Sequence, residues 1–283
     1  MYLIAIFISF PYYKINIKTI KLILLFMFIY IIVYNFISHL GLNLNTQGYV
    51  YLLLCIYSTL YFDFNKKLNI FNILVILITW YQVQLSESRG ALIGLIIFLI
   101  LRYIISAKLW SNKIVYNLII FILTTGAIIF ASIYVYMWKN NVHLDISFSS
   151  KNLYSGREAI WDEAFILIKQ FPWTGIGSAY KIQSYSNFNI HNSMLNLVLV
   201  YGIPVYIFIV SVITIALNKI RKYIVNDKRV KTIIAGFFAI LQVGFFENNL
   251  VWPATSYCSC LLIGIAFSLI NQKYEENINE EEV

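Results

Sequence analysis

Long apolar runs with almost no charge recur along the chain and constrain its fold more than any other feature. The longest cover residues 22–40, 68–85, 114–138, 193–217 and 253–270, and shorter ones cover 48–62, 91–106 and 232–247. A helix needs about 20 mainly apolar residues to cross roughly 30 Å of hydrocarbon, and only helices or closed barrels can satisfy their backbone there. The runs therefore predict an all-α, polytopic integral membrane protein with about eight transmembrane helices.

The overall composition agrees with a membrane protein and excludes a soluble globular domain. Hydrophobic residues make up 60% of the chain, charged residues make up 12%, and the mean hydropathy is +0.74. In soluble domains, about a quarter of all residues are charged. We therefore treat residues 1–283 as one transmembrane domain with the lipid bilayer as a partner. The net charge of +8 is explained by basic residues that flank the apolar runs, so no nucleic acid partner is expected.

Lysine and arginine residues predict the orientation of the chain in the membrane. Residues 219–231 contain six basic residues and a single acidic one, and short cytoplasmic loops carry such an excess. If the chain crosses at every apolar run, residues 86–90, 139–192 and 247–252 face the extracytoplasmic side and the acidic tail 271–283 faces the cytoplasm. The sequence thus predicts a multi-pass protein of the cell membrane with a large outer loop.

The outer loop, residues 139–192, is predicted to carry an amphipathic helix. Ser155 and Glu158 have the spacing of a capping box, which satisfies the first amide groups of a helix. Pro172 ends the helix, because the residue before a proline avoids the helical conformation. Between them, apolar residues recur with the period of one helical face, at Ile160, Ala164, Leu167, Ile168 and Phe171. We expect this helix to lie on the membrane surface.

Four polar motifs follow one another in a fixed order and carry a resemblance to a known family. They are Ser-Arg-Gly at 88–90, Gly-Arg-x-x-x-Trp at 156–161, Pro-x-x-Gly-Ile-Gly at 172–177 and His-Asn at 191–192, followed by Tyr-Gly-Ile-Pro at 201–204. In this order they resemble the O-antigen ligase and polymerase superfamily of bacterial envelope polysaccharide synthesis. The resemblance covers roughly residues 80–217.

The resemblance implies metal-independent glycosyl transfer at the outer leaflet, with no cofactor and with a glycan on a polyprenyl diphosphate as the donor. The residues fit this chemistry. Arginine has a planar fork that matches phosphate oxygens, so Arg89 and Arg157 are the candidate clamp for the diphosphate. Histidine has an unperturbed pKa near neutral pH, so His191 is the candidate base that takes the proton of the acceptor hydroxyl.

Four further residues are candidates for binding the substrate. Trp161 and Asn192 belong to the motifs just described. Tyr180 could stack on a sugar, although an aromatic residue is equally suited to the membrane interface. Glu247 could orient an arginine or bind sugar hydroxyls, or it could act as a helix cap.

Structural roles remain open for the candidate catalytic residues. Arg89 could anchor a helix end at the interface, Arg157 could pair with acids on a surface helix, and His191 could bond only to the backbone. A metal site is conceivable if His39 and His143 join His191 as three histidine ligands. Their spacing matches no short ligand motif, so no metal site is predicted.

Three functions of different class are compatible with these features. A polymerase would join lipid-linked repeat units into capsular, exo- or O-antigen polysaccharide, together with a chain-length regulator and a flippase. A ligase would move a finished glycan to a lipid or protein acceptor. A transporter component would require ionisable residues at mid-span, and acidic residues avoid the apolar runs. The richness in Ile, Asn, Lys, Tyr and Phe suggests an AT-rich genome, as in bacteria that use such polymerases for capsule, and favours the polymerase.

Overall fold

The structure, a computed structural model, describes residues 16–37, 43–65, 69–142, 156–179, 190–250 and 253–281. Throughout these ranges the chain forms helices and turns and no strand, so the all-α class is confirmed. The helices are α1 Ile17–Ile37, α2 Leu44–Phe64, α3 Asn69–Leu85, α4 Arg89–Leu99, α5 Ala107–Trp110, α6 Lys113–Lys139, α7 Arg157–Gln170, α8 Ser193–Arg221, α9 Lys228–Val243 and α10 Pro253–Glu281. The acidic tail is thus largely a continuation of α10.

Two of the described helices, α6 and α8, are long and apolar enough to cross a membrane, judged by length and composition. Helices α3 and α10 contain shorter apolar stretches, Ile70–Leu85 and Ser256–Gln272. One face of α6 leaves large apolar side chains exposed, as a lipid-facing helix does: Ile114, Leu118, Phe121, Ile122, Ile129 and Ile133. The count of eight spans and the orientation in the membrane stay predictions.

The predicted helix over 91–106 differs from the structure. Helix α4 ends at Leu99, a single π-helical turn follows over Ile100–Ile104, and Ile105 has extended backbone angles. π-helical turns are rare and frequent at special sites. Here the turn contains Arg102, whose guanidinium bonds to α2 and α9, so the departure from the α-helix accompanies a buried ion pair.

Helices α2 and α9 form the centre of the bundle. Almost every residue of α9 from Val230 to Val243 is buried, and α2 is buried over most of its length. Small residues permit this close packing. A Cβ on Gly236 of α9 would lie 2.4 Å from Ile56 of α2, and a Cβ on Gly94 of α4 would lie 2.8 Å from Leu52.

The directions of the central helices divide the bundle into two ends. Helices α2 and α4 begin, and α9 ends, at the end that holds Asn45, Arg89 and Glu247. The opposite end holds Asp63, where α2 finishes, and Arg102, after α4. The first end brings together residues that the charge bias predicts to be extracytoplasmic. Which side of a membrane it faces stays a prediction.

Helix α8 is broken at Gly202, two residues before Pro204, and glycine and proline are common causes of such kinks. Gly202 has φ 80° and ψ 169°. The Pro-x-x-Gly-Ile-Gly loop after α7 binds this break through its backbone: Ile176 N–H donates to Leu199 O over 2.9 Å, Gly177 N–H to Val200 O over 3.1 Å, and Ile203 N–H to Pro172 O over 2.8 Å. The two glycine motifs are therefore structural partners that attach α7 to α8.

Candidate active site

A cleft of about 260 Å³ lies at the end of the bundle where α2, α4, α7 and α8 begin. Four residues that the sequence predicts to be functional line it, namely Arg89, Arg157, His191 and Glu247. They come from four separate segments of the chain. The fold therefore assembles in one cavity the two cations, the imidazole and a carboxylate.

Glu247 connects the two candidate catalytic side chains. Its Oε1 lies 3.4 Å from Arg157 Nη2, and its Oε2 lies 3.3 Å from His191 Nδ1. The three side chains are 18 to 24% exposed, so they face the cleft while most of their surface is protected from bulk water. One carboxylate therefore fixes the spacing of the guanidinium and the imidazole.

Arg157 lies in a desolvated environment with a second cation nearby. Burial lowers the pKa of Arg157, and the positive charge of Arg89 acts in the same direction, while Glu247 opposes both. The guanidinium also lies 6.0 Å from the Phe246 ring centroid. An arginine remains charged at any physiological pH, so the result is concentrated positive charge at the cleft.

The ends of the helices add to this positive charge. The N-cap of α4 is Ser88, which makes no side-chain cap hydrogen bond, and the N-cap of α7 is Gly156, which has no side chain. The first amide groups of a helix have no partner within the helix, and they carry the positive end of its dipole. Both helix starts line the cleft. Such helix starts favour anions and phosphate groups.

Buried contacts hold α7 in place under Arg157. Trp161, 1% exposed, donates its indole N–H to Ile190 O over 2.7 Å. The hydroxyl of Tyr134 on α6 donates to Glu158 Oε1 over 3.1 Å, and Glu158 is 4% exposed. The amphipathic helix is confirmed, but it packs against α6 and α8. With Gly156 as the N-cap, Glu158 stands one position short of its place in a capping box, so that part of the prediction is wrong.

His191 is held by bonds on either side. Its φ of 52° lies in the left-handed region, which a non-glycine residue occupies only when its surroundings require it. Asn192, fully buried, accepts from Leu195 N–H over 2.9 Å as the N-cap of α8 and donates to Ala127 O over 3.0 Å. Ser193 donates its hydroxyl to Glu247 O over 2.7 Å. The backbone of His191 is thus attached to the segment that carries Glu247.

The structure separates the other predicted substrate-binding residues from the cleft or does not describe them. Trp161 and Asn192 are buried in the protein and absent from the cleft lining. Tyr180 lies outside the described residues, as do His39 and His143. Among the residues that the structure does describe, no group of three or more His, Cys, Asp or Glu side chains is placed to hold a metal ion.

Sequence reasoning missed Asn45, Glu87 and Phe246, which also line the cleft. Glu87 stands two residues before Arg89 in the same polar turn, so its position was a signal that went unused. Phe246 stands next to the candidate Glu247, which was a similar signal, whereas Asn45 lies before the predicted run 48–62 and outside every motif.

Comparison with known protein families matches residues 73–210 to the O-antigen ligase family. The matched segment, just under half of the 283 residues, contains Arg89, Arg157 and His191 and ends before Glu247. Comparisons with curated proteins and with solved structures gave no match. This match supports the resemblance of residues 73–210 to the O-antigen ligase and polymerase superfamily.

Proposed function

We propose that the cleft transfers a glycan from a polyprenyl diphosphate to an acceptor hydroxyl. The observation that carries this proposal is the contact of one carboxylate, Glu247, with both Arg157 and His191 in a cleft that also contains Arg89. A phosphate-binding cation and a base, held at a fixed spacing, are what displacement of a diphosphate by a hydroxyl requires.

Arg89 and Arg157 would hold the diphosphate of the donor. Charge-assisted hydrogen bonds to phosphate are about twice as strong as neutral ones, and the uncapped starts of α4 and α7 supply further donors. In the reaction, the bond from the anomeric carbon to the phosphate oxygen breaks and its electron pair leaves with the lipid diphosphate. The arginines stabilise the charge that develops on this leaving group.

His191 would accept the proton as the acceptor oxygen bonds to the anomeric carbon. An ionised carboxylate only accepts hydrogen bonds, so Glu247 Oε2 requires the N–H of His191 to be on Nδ1. Nε2 is then left with a lone pair for the proton of the acceptor. Glu247 thereby has two roles, because it selects the tautomer of the base and orients one arginine.

We further propose positioning roles for the buried candidates. Trp161 fixes the backbone just before His191 through its hydrogen bond to Ile190 O. Asn192 fixes the start of α8. Neither residue needs to touch the substrate to affect the reaction, since a displacement of about 1 Å at a catalytic group can cost 10²-fold in rate.

Within this chemistry we favour a polymerase that works at the extracytoplasmic face and joins lipid-linked repeat units into capsular, exo- or O-antigen polysaccharide. In that case both donor and acceptor are lipid-linked, the chain spans the membrane eight times, and a flippase and a chain-length regulator act alongside it. The second candidate is a ligase that moves the glycan to a lipid or protein acceptor, which the name of the matched family favours. The same cleft would serve both reactions.

The test is glycan transfer by purified variants, with lipid-linked repeat units as substrate and a chelator present. His191→Ala should lower the rate by about 10²-fold or more, the range for removal of a general base. His191→Gln keeps a hydrogen-bonding side chain but cannot take the proton, so it should be nearly as slow. His143→Gln, at a histidine that the mechanism does not use, is the control. A fully active His191→Gln variant, or activity abolished by the chelator, would contradict the proposal.

A further inference from the structure

A second cavity, open and of about 530 Å³, lies at the end of the bundle opposite the cleft, where the short helix α5 is followed by the start of α6. Half of its lining residues are polar and half are apolar: Ser106, Lys108, Asn112, Leu109, Ile114 and Val115. Lys113 stands between two of them along the chain. None of these residues is acidic. A lining of this composition favours a ligand that has an anionic head and an apolar body.

The polar residues of this cavity carry hydrogen-bond donors that other described residues do not use. Within the described part of the chain, the ammonium group of Lys108 and the hydroxyl of Ser106 make no hydrogen bond or ion pair. Asn112 uses its Oδ1 to accept from Ile114 N–H over 3.0 Å, which leaves its amide N–H groups for a ligand. Ammonium, hydroxyl and amide groups all donate to phosphate oxygens. The polar side of the cavity therefore suits a phosphate.

Two further cations hold this segment in place and add to its positive charge. Arg221, at the end of α8, donates to Ser111 O over 2.7 Å. Lys231 of α9 donates to Ile105 O over 3.2 Å. Neither cation, nor Lys108, forms an ion pair with a carboxylate of the described residues. The cavity is thus attached to two other helices and lies in a region of uncompensated positive charge.

Helix α5 is fixed in an orientation that leaves its basic and apolar residues exposed. Trp110 is 1% exposed and stacks on Tyr116, with ring centroids 6.2 Å apart. The preceding residues, Lys108 and Leu109, are exposed, as is Ile114 at the start of α6. The exposed fractions of Leu109 and Ile114 are 62% and 79%. Exposed apolar side chains beside lysines are typical of a surface that meets the headgroup layer of a membrane.

We propose that this cavity binds an anionic phospholipid of the bilayer. The phosphate meets Lys108, Ser106 and Asn112, and the acyl chains lie along Leu109 and Ile114. Basic pockets between transmembrane helices on the cytoplasmic side bind anionic headgroups in this way, and the charge bias predicts that this end of the bundle is cytoplasmic. The inference is independent of the reaction proposed for the cleft.

The experiment measures the unfolding temperature of the purified full-length protein in detergent as phosphatidylglycerol is added. A ligand that binds only the folded state raises this temperature. Replacing both Lys108→Gln and Lys113→Gln should raise the phosphatidylglycerol concentration that gives half of the full rise by roughly 10-fold or more, because each lysine near an anionic headgroup strengthens its binding. Lys139→Gln with Lys169→Gln removes the same charge from exposed positions at the cleft end. This matched control should respond like the wild type.

Two other ligands separate the charge of the headgroup from the acyl chains. Phosphatidylcholine has the same chains without net charge, and glycerol 3-phosphate has the phosphate without chains. Neither should raise the unfolding temperature of the wild type at concentrations at which phosphatidylglycerol does. Leu109→Ser, at an exposed position, should also weaken the response to phosphatidylglycerol. The proposal is overturned if phosphatidylglycerol gives no rise, if either other ligand gives an equal one, or if the variant without the two lysines responds like the wild type.

Discussion

Each end of the bundle holds a carboxylate paired with an arginine, but the two pairs differ in distance and in burial. At the cleft, Glu247 lies 3.4 Å from Arg157 and 3.3 Å from His191, with side chains that are 18 to 24% exposed. At the opposite end, Asp63 lies 2.8 Å from Arg102, with side chains that are 1% and 6% exposed. The Asp63–Arg102 pair, at what we call the closed end, is surrounded by its own hydrogen-bonding partners. The Glu247–Arg157 pair, at the open end, leaves polar atoms on the surface of a cleft.

The surroundings of Asp63 show what a purely structural ion pair requires. Lys228 Nζ lies 2.9 Å from Asp63 Oδ1, and Thr232 bonds to both Asp63 and Arg102. These contacts join α2, the π-helical turn and α9. Buried charges are tolerated only when they are paired and hydrogen-bonded, and here they are. We infer that the end with Asp63 stabilises the bundle and that the end with Glu247 does the chemistry.

The largest difference that we expect between the two ends is in their accessibility to a reagent applied outside the cell. Single cysteines are introduced at Ser178, beyond α7, and at Asn226, before α9, both of which are exposed. The background lacks Cys55, Cys258 and Cys260. An impermeant maleimide applied to intact cells stripped of their wall should label the first and not the second, because the basic segment 219–231 is expected inside. Labelling of Asn226→Cys alone would invert the orientation.

The next largest effect concerns stability at the closed end. Asp63→Asn leaves Arg102 buried without its anion, which should cost about 3–5 kcal/mol of unfolding free energy. Thermal unfolding in detergent measures it. Asp162→Asn is the control, since its partner Lys139 is 51% exposed and exposed ion pairs contribute about 0–1 kcal/mol. Equal losses in the two variants would remove the distinction between the ends.

The glycine contacts between α7 and α8 show that the open end has a structural part as well. A Cβ on Gly175 would lie 2.4 Å from Val200 O, and φ at Gly175 is 65°. Gly175→Ala should therefore cost roughly 1–3 kcal/mol and lower activity by displacing α7. Gly126→Ala on α6, where the nearest atom to a Cβ is 3.6 Å away, should be neutral or slightly stabilising. A stable, active Gly175→Ala variant would show that this attachment is dispensable.

Conservative changes of Arg157 at the cleft and of Arg102 at the opposite end of the bundle should have opposite consequences. Lysine keeps the charge but loses the planar fork. Arg157→Lys should lower transfer by roughly 10-fold through the loss of one charge-assisted hydrogen bond, with little change in stability. Arg102→Lys should lower the unfolding temperature and leave the rate per folded molecule near that of the wild type. Transfer rates and unfolding curves of both variants measure these effects, and an Arg157→Lys variant with the full wild-type rate would exclude Arg157 from the diphosphate clamp.

Much of this arrangement could be predicted from the sequence, because the informative residues lie in short polar motifs between apolar runs. Apolar length gives the helical class, and Gly202 before Ile203 and Pro204 indicates the break in α8. Arg89 and His191 stand out for the same reason, since they flank predicted helices. These predictions rest on residues that are neighbours along the chain.

The remainder depends on contacts between distant segments. Glu247 lies 56 positions from His191, and only the packing of the end of α9 against the start of α8 brings them together. Trp161 stands one turn after Arg157, yet it enters the core while Arg157 lines the cleft. The period of a helix says that two residues share a face, but it does not say which of them the neighbouring helices cover.

The most direct test of the account is a double-mutant cycle on transfer rate with His191→Gln and Glu247→Gln. Glu247→Gln alone should slow transfer by about 10-fold or more, because the base loses its orienting carboxylate, and His191→Gln alone by about 10²-fold. Because Glu247 acts partly through His191, its loss has a smaller effect once the base is gone, and what remains is its effect on Arg157. The account predicts that Glu247→Gln slows the His191→Gln variant by a smaller factor than it slows the wild type, and a double variant slowed by the full product of the two single effects would contradict it.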